Sequence, residues 1–237
     1  MTSVTDLVTD AAGLNSGTVI LGSRSPQRLE LLRTIVESDR INICPPQNSD
    51  EVGFDGVSTF DEFADRLREI VGAKARDVIG QLQSGQSSAD GPAVSADRVV
   101  ISADTTIIGT GDDGLLRAFG QPPEDDWECV VRGWFRDCLA GRTHTVMTGV
   151  SISKIGPDGN SATEFRTCRT EVTIRNDIDD WLDWYIATGE PRGKAGGYAI
   201  QGAGSVLVTD VRGSLSNVIG LPLEDMIEML RDLDVLA

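Results

Sequence analysis

The first clear pattern along the chain is the apolar run Thr18–Leu21, which predicts a buried strand. Gly22-Ser23-Arg24-Ser25-Pro26 follows, with a serine able to cap a helix and a proline suited to its first turn, so the reading is strand, short loop, helix. Leu29, Leu32, Ile35 and Val36 continue at helical spacing, and a short strand over Ile41–Cys44 stops at Pro45-Pro46. Thr59 and Glu62 have capping-box spacing ahead of a helix whose Phe63, Leu67, Ile70 and Val71 share one face and which continues towards Ile79. Val99–Ala103 predicts a central strand bounded by Asp104.

Helical periodicity is clearest over Glu124–Leu139, where Trp127, Val130, Val131, Trp134, Phe135, Cys138 and Leu139 recur on one face and read as core. His144–Ile155 and Ala162–Ile174 alternate as long strands around the hairpin turn Gly156-Pro157-Asp158-Gly159-Asn160. Asp177–Thr188 reads as a helix, the segments around Ala199 and Ser205–Val211 as strand-like, and Pro222–Leu233 as a closing amphipathic helix. Early alternation of strands and helices followed by antiparallel pairs predicts an α/β protein with a mixed sheet, in one domain over 18–235. Residues 1–17 read as an N-terminal extension, and about 83–97, poor in bulky apolar residues, as a surface insertion.

Composition narrows the function classes. With 21 Lys plus Arg against 37 Asp plus Glu in 237 residues, the net charge of −16 disfavours a nucleic-acid partner. A small anionic ligand stays open, because a local pocket can be positive on an acidic protein. No apolar run approaches the roughly 20 residues of a membrane span, and the first dozen residues carry no targeting pattern, so the cytoplasm is the expected compartment. Cys44, Cys129, Cys138 and Cys168 form no metal-binding spacing and read as reduced packing residues.

Four segments could carry chemistry. Gly22–Arg28 is either a plain serine-capped turn or an anion site in which backbone N–H groups and Arg24 and Arg28 meet phosphate oxygens. Asp104, in Ser102-Ala103-Asp104-Thr105-Thr106, is either a strand-end turn residue or a carboxylate that orients a metal or deprotonates water. Gly193–Gly202 holds four glycines, one of only three lysines (Lys194) and Gln201, and reads either as a turn or as a close backbone approach to a ligand. Gly213–Leu223 reads as mainly structural, and His144, the sole histidine, has no nucleophile partner in a triad pattern and reads as structural.

In order, LGSRSPQRLELL, the acidic pair Asp50 and Glu51, KAR from Lys74, SADTTI, RTHTVMTGV, GKAGGYAIQG and GSLSNVIGLPL resemble the Maf family of nucleoside triphosphate pyrophosphatases from about residue 18 to 233. The resemblance implies an inosine-triphosphate-pyrophosphatase-like fold, an elongated mixed β-sheet flanked by helices with a central nucleotide cleft, usually in a homodimer. It implies hydrolysis of the α–β phosphoanhydride of a nucleoside triphosphate to the monophosphate and pyrophosphate. Asp104 matches the proton acceptor, Glu51 and Asp104 the ligands of a divalent cation, Mg²⁺ or Mn²⁺, and Ser23, Arg28 and Lys74 phosphate-handling positions. Thr105 and Gln201 match the dTTP/UTP branch, and a glutamine amide can both donate to a pyrimidine carbonyl and accept from its N3–H.

Two positions depart from the family pattern. Gln27 stands where an arginine is usual, and Gln121 where a lysine commonly precedes the proline of the next block. Arg24 or Arg117 would have to compensate the lost charge. These departures keep open a nucleotide-binding regulator with weak turnover, or a broad pyrophosphatase for modified nucleotides.

Overall fold

Two short strands end facing each other along one edge of a long one. In the computed structural model, which describes residues 17–48, 52–84 and 97–236, β3 (Arg98–Thr110) pairs along one edge with β5 (Thr143–Ile155) without interruption from Arg98 to Ile108. Along its other edge it meets β1 (Thr18–Leu21) in parallel over Arg98–Ile101 and β4 (Leu116–Phe119) in antiparallel over Ile107–Thr110. Residues 102–106 of that edge have no strand partner among the described residues. The sheet is completed by β2 (Ile41–Ile43) beside β1, and by β6 (Ser161–Ile174) and β7 (Val208–Arg212) beyond β5, giving seven strands in mixed orientation.

Helices cover both faces. The helix α1 (Pro26–Leu32) starts at Ser25, whose hydroxyl accepts from the Arg28 amide, with Pro26 in the first turn. The helix α2 (Phe60–Gln83) opens on the expected Thr59–Glu62 capping box and buries Phe63, Leu67, Val71, Ala75 and Val78 against the sheet. Further on come α3 (Trp127–Trp134), α4 (Asp179–Ala187), α5 (Leu215–Ile219) and α6 (Leu223–Asp232). On the face opposite α2 the apolar core divides. Met226, Met229 and Leu230 of α6 pack on Val19, Leu21, Val99, Ile101, Ala103 and Val150, while Phe135, Leu139, Leu182 and Tyr185 gather around Ile107, Val146 and Val172.

Several expectations from sequence are corrected. The strand holding Asp104 does not stop there: β3 runs on to Thr110 because Thr106, Ile107 and Ile108 pair with Met147, Val146 and Thr145 of β5. The segment around Ala199 is no strand, since positive φ at Gly196 and Gly197 and 3₁₀ turns at Ala195–Gly197 and Ala203–Leu207 break any extended run. Only Val208–Arg212 of the following stretch is extended. The helix expected over Glu124–Leu139 begins at Trp127 and widens to a π-helix at Phe135–Leu139, which keeps Phe135, Cys138 and Leu139 buried. Cys44 and Cys138 are buried, but Cys129 is exposed and Cys168 half-buried, so packing does not account for all four thiols. The leading extension up to Ser16, Asp50, Glu51 and the insertion between Ser84 and Asp97 lie outside the described residues.

Candidate active site

A cleft of about 880 Å³ opens at the unpaired edge of β3. Both flanking strands deliver a glycine to it, Gly22 after β1 and Gly120 after β4, and Gly22 stays bonded to the β3 carbonyl of Ile101 at 2.8 Å. Open α/β sheets place ligands beyond the carboxyl ends of their strands. Gly22 is required for close approach, because a Cβ there would lie 2.6 Å from Ser102 Oγ. Ser23, Arg24, Gln27, Arg28, Lys74, Asp104, Thr105, Lys194 and Gln201, drawn from four separate segments, all line this cleft. Glu51 lies outside the described residues.

Asp104 and Lys74 form the floor. Lys74 projects from the middle of α2 and its Nζ is 2.6 Å from Asp104 Oδ1, with both side chains about one-sixth exposed (15% and 16%). Opposite Asp104 on β5 stands Gly149, where a Cβ would come 3.0 Å from Leu67 Cβ; its absence lets α2 approach the sheet at this level. Among the described residues Asp104 is the only carboxylate lining the cleft, against Arg24, Arg28, Lys74 and Lys194. The Lys194 ammonium makes no hydrogen bond or ion pair with any described residue.

Arg28 is held by three acceptors: Nε donates to the Gly220 carbonyl (2.9 Å), Nη1 to Ser23 Oγ (3.3 Å) and Nη2 to Thr105 Oγ1 (3.2 Å). The direction of the chain behind it can be derived. Thr148 Oγ1 donates its one proton to the buried Asn217 carbonyl (3.3 Å), so Thr105, 3.0 Å from Thr148, donates to it and accepts from Arg28. Asn217 is itself fixed by Nδ2 donation to the Val146 carbonyl and Thr170 Oγ1 at 3.1 and 3.0 Å. Thr105 thus belongs with Arg28. Gln27 accepts from Ser25 Oγ at 3.1 Å and adds no charge. Of the two arginines that could replace the missing cations, Arg24 lines the cleft, its Nη2 donating to the Pro46 carbonyl at 3.0 Å. Arg117 does not: it pairs with Asp113 on the surface.

The glycine-rich segment forms a second wall. Gly196 sits on Ile107, three residues beyond Asp104, and Gly197 on Val131, both at positive φ where a side chain would be strained and would collide. Tyr198 is buried and its hydroxyl is 2.8 Å from His144 Nε2. Burial pushes the His144 pKa down to about 4, so the ring is neutral near pH 7, in keeping with a structural role. Sequence reasoning did not single out Thr148, Asn217 or Tyr198, whose side chains act through partners 43 to 71 residues away. A smaller cleft of about 300 Å³ along the start of α2 holds Asp55, Glu62, Asp65 and Glu69 with Arg66, and none of the predicted site residues.

Comparison with known proteins identifies the family. The family model of Maf-like proteins matches residues 18–233. A dTTP/UTP pyrophosphatase of Moorella thermoacetica is 34% identical over 214 residues, covering 90% of this chain and 93% of that protein. Enzymes of the same name from Anaeromyxobacter dehalogenans and Syntrophus aciditrophicus are 34% and 31% identical, over 90% and 92% of this chain and 92% and 91% of theirs. A solved nucleoside-triphosphatase/dITP/XTP pyrophosphatase from Mycobacterium abscessus aligns over 91% of this chain and 97% of its own, at 15% identity and a TM-score of 0.34.

Proposed function

The chain belongs to the Maf family, and from that membership and the cleft we propose that it hydrolyses nucleoside triphosphates, dTTP and UTP above all, to the monophosphate and pyrophosphate. The observation that carries the reading is the charge of the cleft. A protein of net charge −16 lines one cavity with four cations and, among the described residues, a single carboxylate. Such a cavity suits a polyanion and leaves one group able to accept a proton.

In this reaction one water adds across the α–β phosphoanhydride and the pyrophosphate leaves. Asp104 accepts the proton of that water; Lys74 on Oδ1 fixes the carboxylate, leaving Oδ2 to face the substrate. Arg28, held rigid by Gly220, Ser23 and Thr105, and Arg24 and Lys194 neutralise phosphate oxygens, each charge-assisted bond contributing roughly 1.5–3 kcal/mol. Gln201 faces the base, where its amide matches the acceptor and donor edge shared by thymine and uracil. Gln27 and Gln121 lower the cleft's charge but leave Asp104, Lys74 and Arg28 in place.

Asp104 offers one hard oxygen donor of the kind a divalent cation takes. Mg²⁺ is usually held by one or two carboxylates together with substrate phosphates, and Asp104 supplies one, with Glu51 as the expected second. When bound, Mg²⁺ or Mn²⁺ would offset phosphate charge.

The test is pyrophosphate release from dTTP, UTP, CTP, GTP and 7-methyl-GTP with Mg²⁺ or Mn²⁺. Highest turnover on dTTP and UTP is expected. Tight nucleotide binding without pyrophosphate release would favour a regulator in place of an enzyme.

A further inference from the structure

Gln201 is exposed and sits in a run of glycine and alanine, a context that by itself would leave its amide free to wander. The backbone around it is nevertheless fixed on both sides. Before it, the Tyr198 hydroxyl is bonded to His144. After it, the Glu190 carboxylate accepts from the Ala203 and Gly204 amides, both at 2.7 Å, and from the Tyr185 hydroxyl at 3.2 Å. The fit is close: a Cβ at Gly202 would overlap the Glu190 carboxylate, and one at Gly204 would lie 2.7 Å from the Ala199 carbonyl. Glu190 is anchored in turn, its amide bonded to Thr188 Oγ1 just past the end of α4.

We propose that Glu190 is a positioning residue for base selection, holding the backbone that presents Gln201 at the geometry in which its amide discriminates between bases. The inference rests on the functional reading above, and extends it to a residue that lines no part of the cleft. Two bonds from amides to an ionised carboxylate are strong ones, and they fall on the second and third residues after Gln201. A glutamine that must order its own backbone on binding loses affinity for the correct base and keeps little preference over the wrong one. The chemistry at Asp104 is supplied by β3 and α2, so it should not feel the change.

The experiment compares wild type, Glu190→Gln, Gln201→Ala and the double variant in pyrophosphate release from UTP and CTP, with hydrogen exchange of residues 201–204 read alongside. Glu190→Gln replaces one accepting oxygen by an NH₂ that faces an N–H. Its UTP KM should rise about tenfold with kcat within about twofold, and the UTP-to-CTP preference should shrink. Exchange at 201–204 should quicken. In the Gln201→Ala background the same substitution should leave the preference unchanged, because the two act through one contact. Equal KM and preference in wild type and Glu190→Gln, or additive effects in the double variant, would overturn the proposal while leaving the activity standing. A wild type that turns over neither nucleotide would overturn the functional reading, and this inference with it. If Glu190→Gln does not fold, Tyr185→Phe removes one of the three bonds to the carboxylate and is judged by the same criteria.

Discussion

Leu21 and Phe119 end two strands that run towards each other along the same edge of β3, Leu21 opposite Ile101 and Phe119 opposite Ile107. The five residues between those contacts have no strand partner on that edge among the described residues, and Asp104 at their centre lines the cleft with Thr105 and Thr106. The forked edge explains why one cavity collects residues 22–28, 74, 104–107, 120–121, 193–195 and 198–201. It also explains how a carboxylate deep in a long, well-paired strand remains accessible.

Lys194 offers the cleanest test of phosphate binding, since its ammonium serves no described protein partner. Lys194→Met should raise the KM for UTP about tenfold or more, as expected for one lost bond to a charged group, with the melting temperature almost unchanged. Steady-state kinetics and a thermal melt check both parts.

Asn217 should matter to stability. It is fully buried, and truncation removes the Nδ2 donor to the Val146 carbonyl and one of the two donors to Thr170 Oγ1, which keeps the Ser214 amide. Asn217→Ala should cost about 2–4 kcal/mol in urea denaturation, and by loosening the support of Thr148 and Thr105 it should also weaken the hold on Arg28.

His144 makes a pH prediction with a definite sign. Its pKa is pushed down to about 4 in the folded protein, by burial, while the unfolded chain has the ordinary value near 6.5. Between those values the unfolded chain binds a proton that the folded one does not. The contribution is therefore fully present above pH 6.5 and is lost as pH falls towards 4, a change of about 3 kcal/mol. Urea midpoints at pH 7.5 and 4.5 should fall less steeply for His144→Gln than for wild type, by about 2–3 kcal/mol of stability.

Much of this was legible in the sequence where the signal is local. The Thr59–Glu62 capping box, the Ser25 cap with Pro26 and the hairpin between β5 and β6 are all where the pattern puts them. The candidate site residues were likewise marked by short motifs, and all the described ones meet in one cleft. What stayed hidden depends on contacts distant in sequence. The signal that β3 continues is the β-branched run Thr105-Thr106-Ile107-Ile108, which the polar break at Asp104 masks, and pairing with residues 145–147 carries the strand through that break. The strand-like alternation around Ala199 yields to positive φ at Gly196 and Gly197, where the backbone lies directly against Ile107 and Val131. Glu190 carries no motif at all; its role is visible only once Ala203 and Gly204 are folded back onto it.

The central claim, that Asp104 takes the proton from the attacking water, is tested most directly by pyrophosphate release from UTP with Mg²⁺ in wild type and Asp104→Asn. An asparagine keeps the size of the side chain and removes the base. The account predicts a fall in kcat of about 10²-fold or more with an unchanged circular-dichroism spectrum. Release at the wild-type rate by pure, folded Asp104→Asn would contradict it.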